Sequence, residues 1–269
     1  KKGAADEEVT LKGTVKMGDY AKARNFTFVV LAESEMGPTK EFALDQVELL
    51  DDYYLTAQNS DIEFLKKFDN DRLLSRFRET AGLDTKKIAP YGGWEDGWLG
   101  GHSVGHYLTA IAQAVKATGN ADLKEKSKQL IKGLAECQNK LGTGFIFGAK
   151  IETEGYVEKQ FDILEGKTTG KTWVPWYNMH KMLTGLVDTY KYTGNKQALE
   201  VAKKLGDWIY NRVSKWDAGT QGRVLGTEYG GMNDCLYELY LCTRDSKHLE
   251  AAHKFDEPNL YKTVAKGCL

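Results

Sequence analysis

The sequence predicts an all-α fold of the (α/α)-toroid type: a partial barrel of helical hairpin repeats, entered through a short β-containing segment. Three observations point there. One helical hairpin is written three times. The first helix of each copy is apolar almost all round, whereas the second carries charge on one face. The surplus length between copies lies in connections rich in glycine and aromatic side chains. Repeated antiparallel helix pairs of this kind can curl so that the first helices line the inside and the second form an outer ring.

Residues 1–40 are read as the β-containing segment. The runs VTLKGTVK (9–16) and FTFVVLA (26–32) are rich in β-branched residues and read as strands. Residues 41–269 are read as the helical part. Between Leu49 and Phe77 apolar residues recur at helical intervals, interrupted near Asp69–Asn70, so two helices are expected. The stretch DNDRLLSRF (69–77) reads as a capped helix whose Arg72 pairs with a carboxylate. The repeat follows. AIAQAVKATGN (110–120) runs into ADLKEKSKQL (121–130), and GLVDTYKYTGN (185–195) into KQALEVAKKL (196–205). CLYELYLCTRD (235–245) runs into SKHLEAAHKF (246–255), aligned on the second copy without gaps. Gly119 and Gly194 suit the left-handed residue that ends a helix; the third copy has Arg244 there, a weaker turn signal. Connections 139–176 and 214–230 hold the surplus. His248 and His253 fall on a charged outer helix and are expected in solvent.

Ahead of each first helix lies an unusual loop: YGGWEDGWLGGHSVGH (91–106), WVPWYNMH (173–180) and EYGGMND (228–234). In a toroid all three share one rim. They would gather Trp94, Trp98, Trp173, Trp176, Tyr91, Tyr177 and Tyr229 with Glu95, His102, His106, His180, Glu228, Asn233 and Asp234. Flat rings, carboxylates, imidazoles and amides in one concave mouth suit a sugar, whose C–H faces pack on rings and whose hydroxyls need polar partners. Plainer readings stand beside this one. Glu95 and Glu228 can favour helix N-termini electrostatically, Trp94 and Trp176 can be packing residues, and a histidine at a helix start can be structural. His102 and His106 share a helix face at i, i+4, but no HExxH glutamate lies between them, so no metal site is assigned.

With 41% apolar and 28% charged residues, the 269-residue chain is globular and long enough to bury a sizeable core. A formal charge of −1 lacks the electrostatic footprint of a nucleic-acid binder. No stretch approaches the ~20 apolar residues of a membrane span. Cys137, Cys235, Cys242 and Cys268 show no CxxC spacing and read as buried thiols. The start, KKGAADEEV, reads as processed or cut.

At YGGWEDGWLGGHSVGHYLTAIA, WVPWYNMHKMLTGLVDTY and EYGGMNDCLYELY the sequence resembles the β-L-arabinofuranosidase family of glycoside hydrolases, a large bacterial group. FALDQVELLDDYYLTAQNSDIEFLKKFDNDRLLSRFRETAGL is similar to that family's opening helices, so the resemblance spans residues 41–267. It implies an (α/α)6-toroid-type catalytic barrel and a retaining glycosidase acting on plant-derived L-arabinofuranosides. It further implies a cysteine nucleophile in a zinc site of cysteines and a glutamate, with a second glutamate as acid/base. These motifs are expected beyond residue 269. Catalytic residues are therefore unassigned, and no cofactor is expected within this chain, zinc being expected in a full-length member.

At matching positions His180 is the foremost candidate for a sugar-hydroxyl contact, then His102 and His106, then Gln58 in the AQN stretch. Trp94, Glu95, Trp176, Glu228 and Asn233 complete the candidate binding set. The implied substrate places the protein in an extracellular or periplasmic compartment. Three of six hairpins are present, so inner helix faces are expected to be open, covered either by the rest of a longer hydrolase or by self-association. The alternative function is a non-catalytic carbohydrate- or protein-binding helical-repeat module. A polysaccharide lyase or unsaturated-uronide hydrolase is disfavoured by the arginine-poor rim, since carboxylate recognition usually recruits arginine.

Overall fold

The computed structural model describes residues 7–17, 20–30, 41–149 and 156–267. The chain divides into two units, Lys1–Ala43 and Leu44–Leu269.

In the first unit, β1 (Glu7–Met17) and β2 (Tyr20–Val30) pair antiparallel, with Glu7 opposite Val30 and Met17 opposite Tyr20. The run 9–16 lies within β1. The run 26–32 covers only the far half of β2, and its last two residues lie outside the described residues. YAKARN (20–25) has little β-branched character of its own; its partner is the VKMG-proximal half of β1, and pairing recruits it.

The second unit is helical. Helices α1 (Asp52–Lys66) and α2 (Asn70–Thr80) form the expected entry pair, and the Asp69 side chain caps α2 by accepting from the N–H groups of Asp71 and Arg72. Arg72 does not pair with a carboxylate as expected. It donates instead to the carbonyls of Ala89 and Pro90 and lies over the Tyr91 ring, which fixes the chain leading into the first loop.

Three hairpins follow: α3 (His102–Thr118) with α4 (Ala121–Leu141), α6 (Pro175–Thr193) with α7 (Lys196–Val213), and α9 (Met232–Thr243) with α10 (Ser246–His253). In all three the turn is the same. Gly119, Gly194 and Arg244 sit at φ of 70°, 71° and 57°, so the third copy adopts the left-handed turn without a glycine. The next residue, Asn120, Asn195 or Asp245, caps the second helix with its side chain.

First helices pack on first helices, α3 on α6 on α9, and second helices on second helices, α4 on α7 on α10. This two-layer stacking of hairpins is the toroid-type all-α fold. Leu108, Ile111, Leu183, Leu186, Leu236 and Leu239 of the first layer, and Leu123, Leu130, Leu134, Leu205 and Ile209 of the second, are fully buried between the layers. Helices α3 and α6 approach backbone to backbone. A Cβ on Gly105 would lie 2.1 Å from the Lys181 carbonyl oxygen, and one on Gly185 would lie 2.5 Å from that of Gly105.

The first helices are less uniformly apolar than expected. Each keeps a polar stripe, and the stripes are cross-linked: Thr109 Oγ1 donates to Asp188 (2.7 Å) between α3 and α6, and Lys191 donates to Glu238 (2.5 Å) between α6 and α9. The long connections also hold short helices not foreseen, α5 (Lys159–Leu164) and α8 (Ala218–Thr227), and a last helix, α11 (Pro258–Ala265), follows the third hairpin. Arg212 of α7, buried, holds α5 and its flanks through Glu158, Asp162 and Glu165.

Candidate functional site

The three loops meet. A cavity of about 520 Å³ is lined by Trp94, Leu99 and His102 from the first loop, Trp173 and Tyr177 from the second, and Glu228, Tyr229 and Met232 from the third. Hydrogen bonds tie the loops together. Asn178 Nδ2 donates to the Trp98 carbonyl (2.7 Å), joining the first loop to the second. The backbone N–H groups of Trp176 and Tyr177 donate to the Glu228 carboxylate at 2.9 and 3.0 Å, joining the second to the third.

The glutamates act as caps. Glu228, which follows α8, uses both oxygens on the first turn of α6. Glu95 does the same for α3, accepting from the Gly101 N–H (2.6 Å) and the Ser103 N–H (3.0 Å). The carboxylates saturate N–H groups that a helix start leaves unpaired and meet the positive end of its dipole. Of the two readings left open by the sequence, helix capping is the one the geometry shows for both residues.

Their electrostatics differ. Burial pulls the Glu95 carboxyl up, but hydrogen bonds from His102, Ser103 and Gly101 outweigh it and hold Glu95 below the usual carboxylate range. The His102 Nδ1 lies 3.1 Å from Glu95 and 2.6 Å from the Leu99 carbonyl, which can only accept, so Nδ1 carries a proton. The bond to Glu95 raises the His102 imidazole above its ordinary value. Glu228 has no such partner. Burial pushes it up to about 7, against the two backbone N–H bonds.

His180 is pushed down to about 4, first by burial and then by the charges of Lys181 and His106, so at neutral pH it is an uncharged ring that can donate and accept. The glycine pair of the third loop explains its placement. Gly231 sits at φ 78°, and a Cβ there would come within 2.3 Å of the His180 ring. His106, on α3, is exposed, and its ring centroid is 5.9 Å from that of His102; of the three expected histidines only His102 lines the cavity, and His180 and His106 lie outside its lining.

Other expected site residues are placed differently. Trp176 is a core ring. It is 1% exposed, with ring centroids 4.9 Å from Phe161 and 5.0 Å from Phe255, and reaches the cavity only at its floor. Asn233 is occupied at its amide by Asp256 (3.3 Å) and Tyr261 (2.9 Å) and does not line the cavity. Gln58 lies half-buried on α1, outside the lining. The Tyr91 hydroxyl accepts from the Asp69 N–H, away from the cavity. By contrast Trp94, Trp173 and Tyr229 stand at the rim with 71%, 51% and 65% of their surface exposed. Sequence reasoning missed the floor residues Leu99, Val174, Met232 and Phe255; the first three lie inside the quoted loops, whereas Phe255 arrives from the end of α10 with no local signal.

The described cysteines are not a metal set. Cys137 lies on α4, Cys235 and Cys242 lie two turns apart on α9, and burial raises each thiol, Cys137 to about 11. The zinc site implied by the resemblance does not fit them. Among the described residues, three potential metal ligands come together instead at Asp207, Asp245 and His248. His248 is a further correction: it is 1% exposed, not solvated, because Gly206 of α7 leaves room for its ring.

The chain belongs to the GH127 β-L-arabinofuranosidase catalytic-domain family, whose model matches residues 46–267. Ara127N, a GH127 β-L-arabinofuranosidase from Geobacillus stearothermophilus T6, is similar in structure, with a TM-score of 0.51 and 19% identity over 80% of this chain and 32% of that one. The GH127 β-arabinofuranosidase BT3674 is similar with a TM-score of 0.54 and 14% identity, over 79% of this chain and 33% of that one. The chain thus spans about a third of the length of these structures. No curated protein sequence matches it.

Proposed function

We propose that this chain forms the first half of a retaining glycosidase barrel acting on plant-derived β-L-arabinofuranosides, outside the cytoplasm or in a periplasm. The observation that carries the reading is the convergence of three loops, all within the span matched by the family model, on one cavity with ring faces at its rim. Trp94, Trp173 and Tyr229 offer flat faces to sugar C–H groups, and neutral His180 offers a donor and an acceptor to hydroxyls. The Glu95–His102 pair fixes the start of α3 and places an imidazole that donates from Nδ1 in the cavity wall. Nucleophile and acid/base are assigned to further parts of a longer chain. The exposed apolar face of α1, with Tyr53, Tyr54 and Phe64, is then covered by additional hairpins.

Incubation of the longer parent polypeptide with p-nitrophenyl β-L-arabinofuranoside, under reducing conditions with zinc supplied, should release nitrophenol. No release from any furanoside would overturn the assignment. A second reading is a non-catalytic carbohydrate-binding repeat, which the exposed rim rings Trp94, Trp173 and Tyr229 would serve equally. Calorimetry with arabinose oligosaccharides on this chain, together with sedimentation, separates the readings. Tight binding without turnover by any longer form, or a stable homodimer through the α1 face, would support the second.

A further inference from the structure

We propose that Asp207, Asp245 and His248 form a structural site for a divalent transition-metal cation, Zn²⁺ foremost, that clamps the outer helix α7 to α10. The site lies on the second layer of helices and is independent of the sugar reading.

The repeat supplies the first observation. His248 aligns with Leu123 in the first copy and Ala198 in the second, both fully buried aliphatic residues. The third copy places an imidazole in the same buried slot. In the same copy the helix cap changes from Asn120 and Asn195 to Asp245; in the second copy, the alignment extended by two residues sets Asp207 against Lys132 of the first and Glu257 of the third. Both third-copy departures turn the position toward metal ligands, and Asp207 of the second copy lies beside them.

The hydrogen bonds supply the second. Thr243 Oγ1 gives its one proton to the Leu239 carbonyl (2.9 Å), so toward His248 Nδ1 (2.8 Å) the hydroxyl oxygen accepts. The ring proton is therefore on Nδ1, and Nε2 carries a lone pair. That nitrogen is buried and has no hydrogen-bond partner among protein atoms. It lies 4.0 Å from Asp207 Oδ1, too far for a hydrogen bond, and the three ligand atoms fall within 4.8 Å of one another. Tetrahedral zinc holds such ligands roughly 3.4 Å apart, so closing the set needs the carboxylate oxygens to swing inward by about 0.6 to 1.4 Å. An Nδ1–H held by an oxygen, leaving Nε2 to the metal, is the usual arrangement around ligating histidines. Burial lowers the His248 pKa, which keeps the ring in the ligand form.

The remaining groups fit. Asp245 Oδ1 caps α10 by accepting from the Lys247 N–H, which leaves Oδ2 for a cation. Lys247 Nζ reaches Asp207 Oδ1 (2.5 Å) and Asp245 Oδ2 (3.4 Å), so an ammonium already answers the two negative charges. A divalent ion would displace that flexible, solvent-facing arm and take the Nε2 lone pair, which the ammonium leaves unused.

Zinc and cobalt titrations of the 269-residue chain, read by calorimetry, cobalt absorption and thermal midpoint, test this. One ion should bind per chain with a midpoint rise, and the cobalt spectrum should lack a thiolate charge-transfer band. Lys247→Met, which removes the competing ammonium, should tighten binding about tenfold. Asp207→Asn and Asp245→Asn, the latter still able to cap α10, should weaken it at least tenfold. A thiolate band, binding unchanged in both Asn variants, or no binding even by Lys247→Met would overturn the proposal.

Discussion

Glu95 and Glu228 hold equivalent posts in two different loops. Each carboxylate bridges two backbone N–H groups at the start of a first-layer helix, α3 or α6. Only Glu95 has an imidazole partner, His102, and the result is opposite protonation behaviour: Glu95 is held low, whereas Glu228 is pushed up to about 7. A shared capping geometry therefore does not set a shared charge state. The neighbour that is present or absent does.

Removing the caps tests the difference most severely. Glu95→Ala should destabilise by about 2–4 kcal/mol, because it leaves two N–H groups unpaired and removes the carboxylate partner of the half-buried His102 ring. Glu228→Ala should cost about 1–3 kcal/mol, the penalty for unpaired N–H groups alone. Urea denaturation at pH 6 measures both. Equal losses would mean that the His102 pair contributes nothing beyond capping.

The pH dependence should separate the two glutamates further. Glu228 has an ordinary value of 4.5 and a folded value of about 7. Its favourable contribution is complete below 4.5 and is lost as pH rises through 7, with a slope of at most about 1.4 kcal/mol per pH unit. For Glu95 the sign reverses: its contribution is present above 4.5 and lost as pH falls through its lowered folded value. The His102 contribution is complete below 6.5 and lost as pH rises through its raised folded value. The Glu95–His102 pair is thus fully effective between 4.5 and 6.5. Stability curves of the chain and of Glu228→Gln should diverge between pH 5 and 7, the variant being flatter. Parallel curves would place the Glu228 titration elsewhere.

How much of this was legible depends on the range of the interaction. The hairpins were, because the turn chemistry of Gly119, Gly194 and their capping neighbours is local and repeats. Even Arg244 kept the turn, because the packing of α9 and α10 imposes it. Helix α8 was not legible: AGTQGRVLGT carries three glycines and poor helix propensity, and the Asp217 cap with burial of Val224 and Leu225 makes it helical. The rim was legible as a gathering of loops, but the role of each side chain was not. Trp94 and Trp176 look alike in sequence, yet one stands in solvent and the other sits in a cluster completed by Trp216 and Phe255, residues far along the chain. The burial of His248 depended likewise on Gly206, 42 positions away in sequence order.

A milder perturbation acts through the glycine beside the second cap. Gly231→Ala puts a Cβ at φ 78° and within 2.3 Å of the His180 ring. It should cost about 1–2 kcal/mol of stability from the left-handed backbone. It should also displace His180, weakening arabinoside binding by about tenfold, the loss of roughly one good hydrogen bond. His180→Ala should reproduce the binding loss without the backbone penalty. If Gly231→Ala lowers stability and leaves affinity intact, His180 is not a ligand contact.

The smallest effect on stability should come from the residues next to the caps. Trp94 precedes Glu95 and Tyr229 follows Glu228, so each loop pairs an inward carboxylate with an outward ring, 71% and 65% exposed. The carboxylate fixes the loop to a helix start, and the ring gains orientation from it while burying little of its own surface. Trp94→Ala and Tyr229→Ala should therefore change stability by less than about 0.5 kcal/mol, against about 3–5 kcal/mol for the core ring of Trp176→Ala. If the rings serve the sugar, both rim variants should nevertheless weaken arabinose-oligosaccharide binding several-fold in calorimetry, and a double variant should lose more than either alone. Rings that can be removed with no change in either measurement would be packing ornaments of the rim, and the division of labour between cap and ring would fall with them.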